Sequence, residues 1–285
     1  MQDKLIVKKK SLNFQGKLED INEPKIMGIL NLTPDSFYDG GSNNNLDLAI
    51  KNVKKMRRDG ADYIDIGGYS SRPGAKDVSE QEEINRVIPV IEACVSQFPE
   101  IIISIDTFRS KVAEAAIKSG ALMVNDISAG DLDPNMWKTV SQLNVPYIAM
   151  HMKGTPQSMQ ENPSYHNIID EMLFDLSKKI DGMKKAGIRD FIIDPGFGFG
   201  KTIDHNYEVL NNLAAFKLFG APILVGVSRK SMIYKELCIS PNQALNGTTV
   251  LNTIALNNGA DLLRVHDVKE AKEAVILWQK VKSFS

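Results

Sequence analysis

Eight short apolar runs, separated by helix-periodic stretches that repeatedly close on glycine, restrict this sequence to very few folds. The runs are IMGIL at 26–30, YIDIG at 63–67, IIISID at 101–106, LMVNDI at 122–127, YIAMHM at 147–152, FIID at 191–194, ILVGVS at 223–228 and LLRVHD at 262–267. They are rich in β-branched residues and continuous, as strands covered on both faces are. Between them, segments such as KVAEAAIKSG (111–120) and MLFDLSKKIDGMKKAG (172–187) carry helix periodicity. Gly60, Gly120, Gly187 and Gly259 each stand between a helix and the next strand, a place for the left-handed residue that ends a helix. Eight such βα units predict a parallel sheet, and eight in roughly 250 residues predict an α/β chain folded as a (β/α)8 TIM barrel. A doubly wound sheet has fewer strands and a dinucleotide fingerprint after the first, and none follows Leu30. Residues 1–25 read as a lead-in, strand or hairpin, closing the barrel bottom, and 26–285 as the barrel. Asn43-Asn44-Asn45 reads as a loop tip.

Composition narrows the class. At 285 residues and 43% hydrophobic the chain can bury a large core, and 34 basic against 35 acidic side chains leave a net charge of -1. No basic block is long enough for nucleic acid or a membrane surface, and the apolar runs fall far short of a membrane helix. Cys94 and Cys238 lie far apart without metal-ligand spacing, so a disulfide framework and a zinc site are not expected. A cytoplasmic protein follows.

The stretch FIIDPGFGFGKT at 191–202 comes within one residue of a phosphate-binding loop, G-x-x-x-x-G-K-[ST], but Pro195 stands where the first glycine belongs. Without a surrounding nucleotide domain it reads as a tight turn after Asp194, with Lys201-Thr202 as the approach to the next helix. More informative is the polar ending of nearly every run: Asn31, Asp106, Asn125 with Asp126, His151, Asp194, Ser228 with Arg229 and Lys230, and Arg264 with His266 and Asp267. Active sites of such barrels form at the C-terminal strand ends. Any one of these residues could cap a helix instead; together they suit a polar heterocycle carrying an anionic group. Arg264 and His266, two apart, leave the same strand face near a frequent phosphate site. NLTPDSFYDGGS (31–42) and GGYSSRPGAKDVS (67–79) are glycine-hinged loops, candidate lids.

In this order and spacing NLTPDSFYDGG, SRPGA, SIDT (104–107), NDIS (125–128), MHM (150–152), DPGFGFGK (194–201), SRKS (228–231) and RVHD (264–267) resemble the dihydropteroate synthase family of pterin-binding barrels, over most of the chain. The resemblance implies a transferase of folate biosynthesis. It would join p-aminobenzoate to 6-hydroxymethyl-7,8-dihydropterin diphosphate by dissociative C–O cleavage, with Mg²⁺ as cofactor, no nucleic-acid or membrane partner, a homodimer as assembly and sulfonamides as inhibitors. The same resemblance assigns the pterin to Asp106, Asn125, Asp194, Lys230 and Arg264. It assigns the diphosphate to Asn31, Arg72, Arg264 and His266, and magnesium to Asn31. The aminobenzoate pocket would be Phe37, Ser71, Arg72, Pro73, Phe199, Lys230 and Ser231. Asn31, Asp106, Lys230, Arg264 and His266 carry catalysis in this reading. Tyr69 and Ser71 depart from the family, which commonly has Glu and Thr there; the departures bear on the second loop and not on the reaction. A pterin-binding methyltransferase acting on methyltetrahydrofolate is the alternative on the same barrel, and a non-catalytic pterin-binding protein another. The SRPGA and SRKS loops argue against the first, the completeness of the matched set against the second.

Overall fold

The computed structural model describes residues 11–32, 42–70, 78–155, 159 and 163–284. Strands β1 (Ser11–Phe14) and β2 (Lys17–Asp20) form an antiparallel hairpin. The next eight are β3 (Lys25–Asn31), β4 (Tyr63–Gly67), β5 (Ile102–Asp106), β6 (Met123–Asp126), β7 (Tyr147–Met150), β8 (Phe191–Asp194), β9 (Leu224–Val225) and β10 (Leu262–Val265). They pair in parallel in the order β8-β7-β6-β5-β4-β3-β10-β9, and a parallel bridge from Ile193 to Ile223 brings the two ends together as a nearly closed barrel. All eight sequence runs therefore became strands. The seventh is shorter than expected, because only Leu224 and Val225 stay in the ladder and the chain from Gly226 onward leaves it.

The helices are α1 (Ser42–Arg58), α2 (Glu80–Gln97), α3 (Ser110–Lys118), α4 (Met136–Leu143), α5 (Ile168–Lys185), α6 (Ile203–Asn211), α7 (Ser231–Tyr234), α8 (Leu245–Asn257) and α9 (Val268–Lys282). In α5 the buried residues Ile168, Met172, Leu176, Ile180 and Met183 form one stripe at helical spacing. Asn167 caps its first turn through Asp170 N, and Lys184 and Lys185 lie at the end where the helix dipole favours cations. Gly60, Gly120, Gly187 and Gly259 all have positive φ. One expectation fails. Asn43, Asn44 and Asn45 lie in the first turn of α1 and not in a loop tip, since the apolar positions behind them, Ala49, Val53 and Met56, carry the helix into the core.

Alternation along the strands sorts the barrel into two environments. Ile26, Ile64, Ile66, Ile103, Ile105, Val124, Ile193, Val225, Leu263 and Val265 point outward into the core shared with the helices. The inward residue near the start of each strand is apolar: Met27, Tyr63, Ile102, Met123, Ile148, Ile192, Leu224 and Leu262 form a single cluster with Leu12, Phe14 and Ile21 of the hairpin segment. The hairpin thus seals the N-terminal end. It is held there by Tyr63 Oη donating to Glu19 Oε1 at 3.1 Å, by the Lys25–Glu19 ion pair at 3.1 Å and by Asn13 N donating to Asp190 Oδ1 at 3.2 Å.

Phe14 is 3% exposed in that cluster, so Phe14→Ala should lower the unfolding free energy by about 3–5 kcal/mol in urea denaturation. Leu18→Ala on the same hairpin, 69% exposed, should change it by less than about 0.5 kcal/mol. Equal effects of the two would show that the hairpin does not seal the barrel.

Candidate active site

Two residues above the apolar floor, the inward positions become Ile29, Asp65, Ser104, Asn125, Met150, Asp194, Gly226 and Arg264. Here the interior turns polar. Arg264 Nε donates to Asp65 Oδ2 at 2.6 Å and Arg264 Nη2 to Asp106 Oδ2 at 2.6 Å. Asn125 Nδ2 donates to the same Asp65 oxygen at 2.9 Å. Lys230, at the N-terminus of α7, reaches back so that its Nζ donates to the Phe197 carbonyl and lies 4.8 Å from the centre of the Phe199 ring. Gly226 lies between the two cations: a Cβ there would be in ordinary contact with Arg264 Cβ at 3.8 Å and Lys230 Nζ at 3.9 Å.

The charges act on one another. Burial opposes the charge on Arg264, but Asp65, Asp106 and Asp194 outweigh it and push the guanidinium's pKa up. Burial raises Asp106 above its ordinary value, with Arg264 opposing and Asp65 adding to the rise. Asp194 is likewise raised by burial, against Lys230, the Gly196 amide and Arg264. Lys230 is pushed down to about 8 by burial, with Asp194 opposing. The structure thus brings Asp106, Asn125, Asp194, Lys230 and Arg264 into one coupled cluster on the inner wall, above the middle of the barrel. Beside it Ile127, Met150, Met152 and Met159 form an apolar patch against which Phe199, Phe108 and Leu132 pack. A flat polar ring and an aromatic ring could lie against these two surfaces.

Higher on the wall, Asn31 ends β3 half-buried, in register with Gly67, which is itself in register with Asp106. His266, two residues beyond Arg264, has Nδ1 3.0 Å from Ser228 Oγ, which also accepts from His266 N at 3.2 Å. Ser228 Oγ thus ties the backbone and the ring of His266 together. Ser231 opens α7 next to Lys230. Tyr69 packs edge-on to Phe108 at 5.1 Å, and Arg109, which pairs with buried Glu83 at 2.7 Å, lies 5.2 Å from the Tyr69 ring centre. Phe37, Ser71, Arg72 and Pro73 lie outside the described residues.

Four members of the polar ring read from the sequence do not face this cluster. Asp126 accepts from Tyr147 Oη at 2.6 Å, Ser128 N and Oγ at 2.7 Å, and Gly130 N at 2.9 Å, holding the turn after β6. Asp267 takes Arg229 in a two-pronged pair at 2.8 and 2.9 Å. His151 meets Lys201 at 3.1 Å. Asp126, His151 and Asp267 have outward parity, so counting strand-end polar residues without alternation overcounts the ring. The same rule would have found Asp65, which was missed because it lies mid-strand.

The FGFG loop is the expected tight turn leading into α6, but Lys201 does more than approach that helix. Lys201 is 3% exposed and its Nζ donates to the carbonyls of Gly196 at 3.0 Å and Phe199 at 3.1 Å. It is the internal pin of the turn, while Thr202 caps α6 in a capping box with His205. A Cβ at Gly196 would collide with the His151 carbonyl oxygen, so only glycine lets the loop pass that strand end. Gly196 N in turn donates to Asp194 Oδ1 at 2.7 Å and fixes that carboxylate.

Comparison with known proteins follows this geometry. Residues 27–266 match the family model of pterin binding enzymes. The chain is 44% identical to the dihydropteroate synthase of Escherichia coli K12 over 263 residues, 92% of this chain and 93% of that one. The structure of the Yersinia pestis dihydropteroate synthase with a sulfonamide drug superposes with a TM-score of 0.90 at 41% identity, covering 96% of this chain and 99% of that chain. That of Xanthomonas albilineans dihydropteroate synthase with 4-aminobenzoic acid gives 0.89 at 39% identity, covering 96% and 98%.

Lys201 offers a pH test. Burial pushes its ammonium from 10.5 down to about 7, with Asp194 opposing. Across that window the unfolded chain holds a proton that the folded chain lacks, so this group makes stability rise with pH. Lys201→Met removes the titration, and its unfolding free energy should gain less than the native chain's between about pH 7 and about pH 10. Parallel curves for the two proteins would refute the assignment.

Proposed function

The chain belongs to the pterin-binding enzymes and, among them, to the dihydropteroate synthases, and on that premise we propose how its residues divide the work. It condenses 6-hydroxymethyl-7,8-dihydropterin diphosphate with p-aminobenzoate to 7,8-dihydropteroate and diphosphate, a transferase step of folate biosynthesis. The observation that carries the assignment of roles is the coupled cluster of Asp106, Asn125, Asp194, Lys230 and Arg264 beside an apolar patch.

Asp194 accepts from the adjacent exocyclic amine and ring N–H of the pterin, a pairing that suits a carboxylate fixed by Gly196 N. Asn125 and Asp106 take further polar edges of the ring, and Lys230 donates to its acceptor edge. Arg264 lies along the heterocycle while its charge reaches toward the diphosphate. Asn31, Arg264 and His266 at the mouth, together with Arg72, bind diphosphate oxygens. Phe199 and Ser231, with Phe37, Ser71, Arg72, Pro73 and Lys230, wall the aminobenzoate.

The C–O bond breaks with its electron pair leaving on diphosphate, whose growing charge the mouth cations stabilise. The positive charge left at the methylene spreads into the dihydropterin ring. The carboxylates Asp106 and Asp194 of the cluster below, which this reading sets at the polar edges of the ring, favour that cation. The aminobenzoate nitrogen then forms the C–N bond and loses a proton. The donor set at the mouth fits magnesium: Asn31 supplies one neutral oxygen, and among the described residues no cluster of three His, Cys, Asp or Glu forms a cage, as suits an ion that arrives with phosphate and keeps most of its waters. Bound there, the ion would neutralise diphosphate charge.

Assembly and place follow. Val250, Leu277 and Val281 are 50%, 68% and 69% exposed on α8 and α9, around a groove lined by Thr249, Thr253 and Trp278, and this face would pair two copies in a homodimer. Free thiols at Cys94 and Cys238 support a cytoplasmic setting, and among the described residues no helix is long and apolar enough to cross a membrane.

Purified protein with both substrates and Mg²⁺ should release diphosphate, and sulfonamides should compete with p-aminobenzoate. Asp194→Asn should weaken dihydropterin binding by on the order of 2–5 kcal/mol. Tight pterin binding without diphosphate release rejects the role assignment as a whole; unchanged affinity in the variant rejects that of Asp194. In sedimentation, Leu277→Asp should convert a dimer to a monomer, and a dimer that survives it places the interface elsewhere.

A further inference from the structure

Asp65 is given no contact with a substrate above, yet it ties two members of the cluster together. It is fully buried on the inward face of β4, and one of its oxygens, Oδ2, accepts from both Asn125 Nδ2 and Arg264 Nε. Its other oxygen has no hydrogen-bond partner among the described residues, and neither does Ser104 Oγ, its register neighbour on β5. A buried carboxylate whose bonds go only to two proposed ligand-binding groups, and whose second oxygen the fold leaves unused, is poorly explained as a device for stability.

We propose that Asp65 is a positioning residue for the dihydropterin pocket, fixing which atoms of Asn125 and Arg264 meet the ligand. With Nδ2 committed to Asp65, the Asn125 amide cannot rotate by half a turn without bringing its oxygen against a carboxylate oxygen. Asn125 Oδ1 is therefore presented as an acceptor, matched to a ligand N–H. With Nε held by Asp65 and one Nη2 hydrogen by Asp106, Arg264 is locked in plane, and the Nη1 edge is the one left for a ligand. Asp65 thus acts on the pterin without touching it. This rests on the pterin reading of the cluster.

The test is steady-state kinetics of Asp65→Asn, Asn125→Ala and the double variant, with melting temperatures alongside. Asp65→Asn should raise the KM for dihydropterin diphosphate by about tenfold to a hundredfold, the range for hydrogen bonds to a charged group, and leave that for p-aminobenzoate within about twofold. The double variant should lose less than the product of the single losses. An unchanged dihydropterin KM overturns the proposal. So does multiplication of the two losses, or a fall in kcat and melting temperature alone, as a purely structural role predicts. A crystal structure of the native enzyme with dihydropterin gives a check that needs no variant: Asn125 should face a ligand nitrogen that carries hydrogen, and a ligand atom that can only accept overturns the idea. Absence of turnover in the native protein would instead sink the reaction assignment.

Discussion

In a barrel of parallel strands, alternation leaves each strand only every second residue for the interior, and closure brings those residues to a common axis in layers. That constraint organises this molecule. The lowest layer is apolar on every strand and is sealed by Leu12, Phe14 and Ile21. One step up, Asp65, Asn125, Asp194 and Arg264 occupy the same interior, where water is scarce and each charge needs a partner. The apolar floor and the polar site are therefore two consequences of one geometry: the floor excludes water from below, which strengthens every interaction in the layer it supports.

Within that layer the interactions form a chain. Arg264 is held by Asp65 and Asp106, Asp65 holds Asn125, and Lys230 balances Asp194. None of the pairs is an ordinary surface bridge, since Asp65 is wholly buried and its partners are largely so. A network of this kind is worth more for orientation than for stability, because a hydrophobic interior of the same shape would fold at least as well. Its value lies in presenting fixed donors and acceptors to a flat heterocycle, with carboxylates near where a cation is to form.

The loop after β8 shows how near-identity of pattern can hide a difference of construction. In a phosphate loop the lysine reaches outward to a ligand. Here Lys201 turns inward, and its ammonium occupies the carbonyls of Gly196 and Phe199. The glycines serve close passage past His151, and the product of the turn is a fixed Asp194 carboxylate with Phe199 beside Lys230. The pattern was legible in the sequence; the direction of the lysine was not, because it depends on carbonyls that only the folded turn supplies.

The sequence by itself determined the eight strands, the helices between them and the rim on which function sits, since periodicity and glycine placement are local and propagate along the chain. It also held the parity that separates Asp106, Asn125, Asp194 and Arg264 from Asp126, His151 and Asp267, although a count of strand-end polar residues passed over it. Tertiary structure alone decided the partnerships. Asp65 meets Arg264 across 199 positions, and Arg229 turns from the mouth to Asp267 because β10 delivers a carboxylate there. Such pairings depend on barrel closure and register, which place distant residues within hydrogen-bond reach, and no local propensity encodes a distance of that kind.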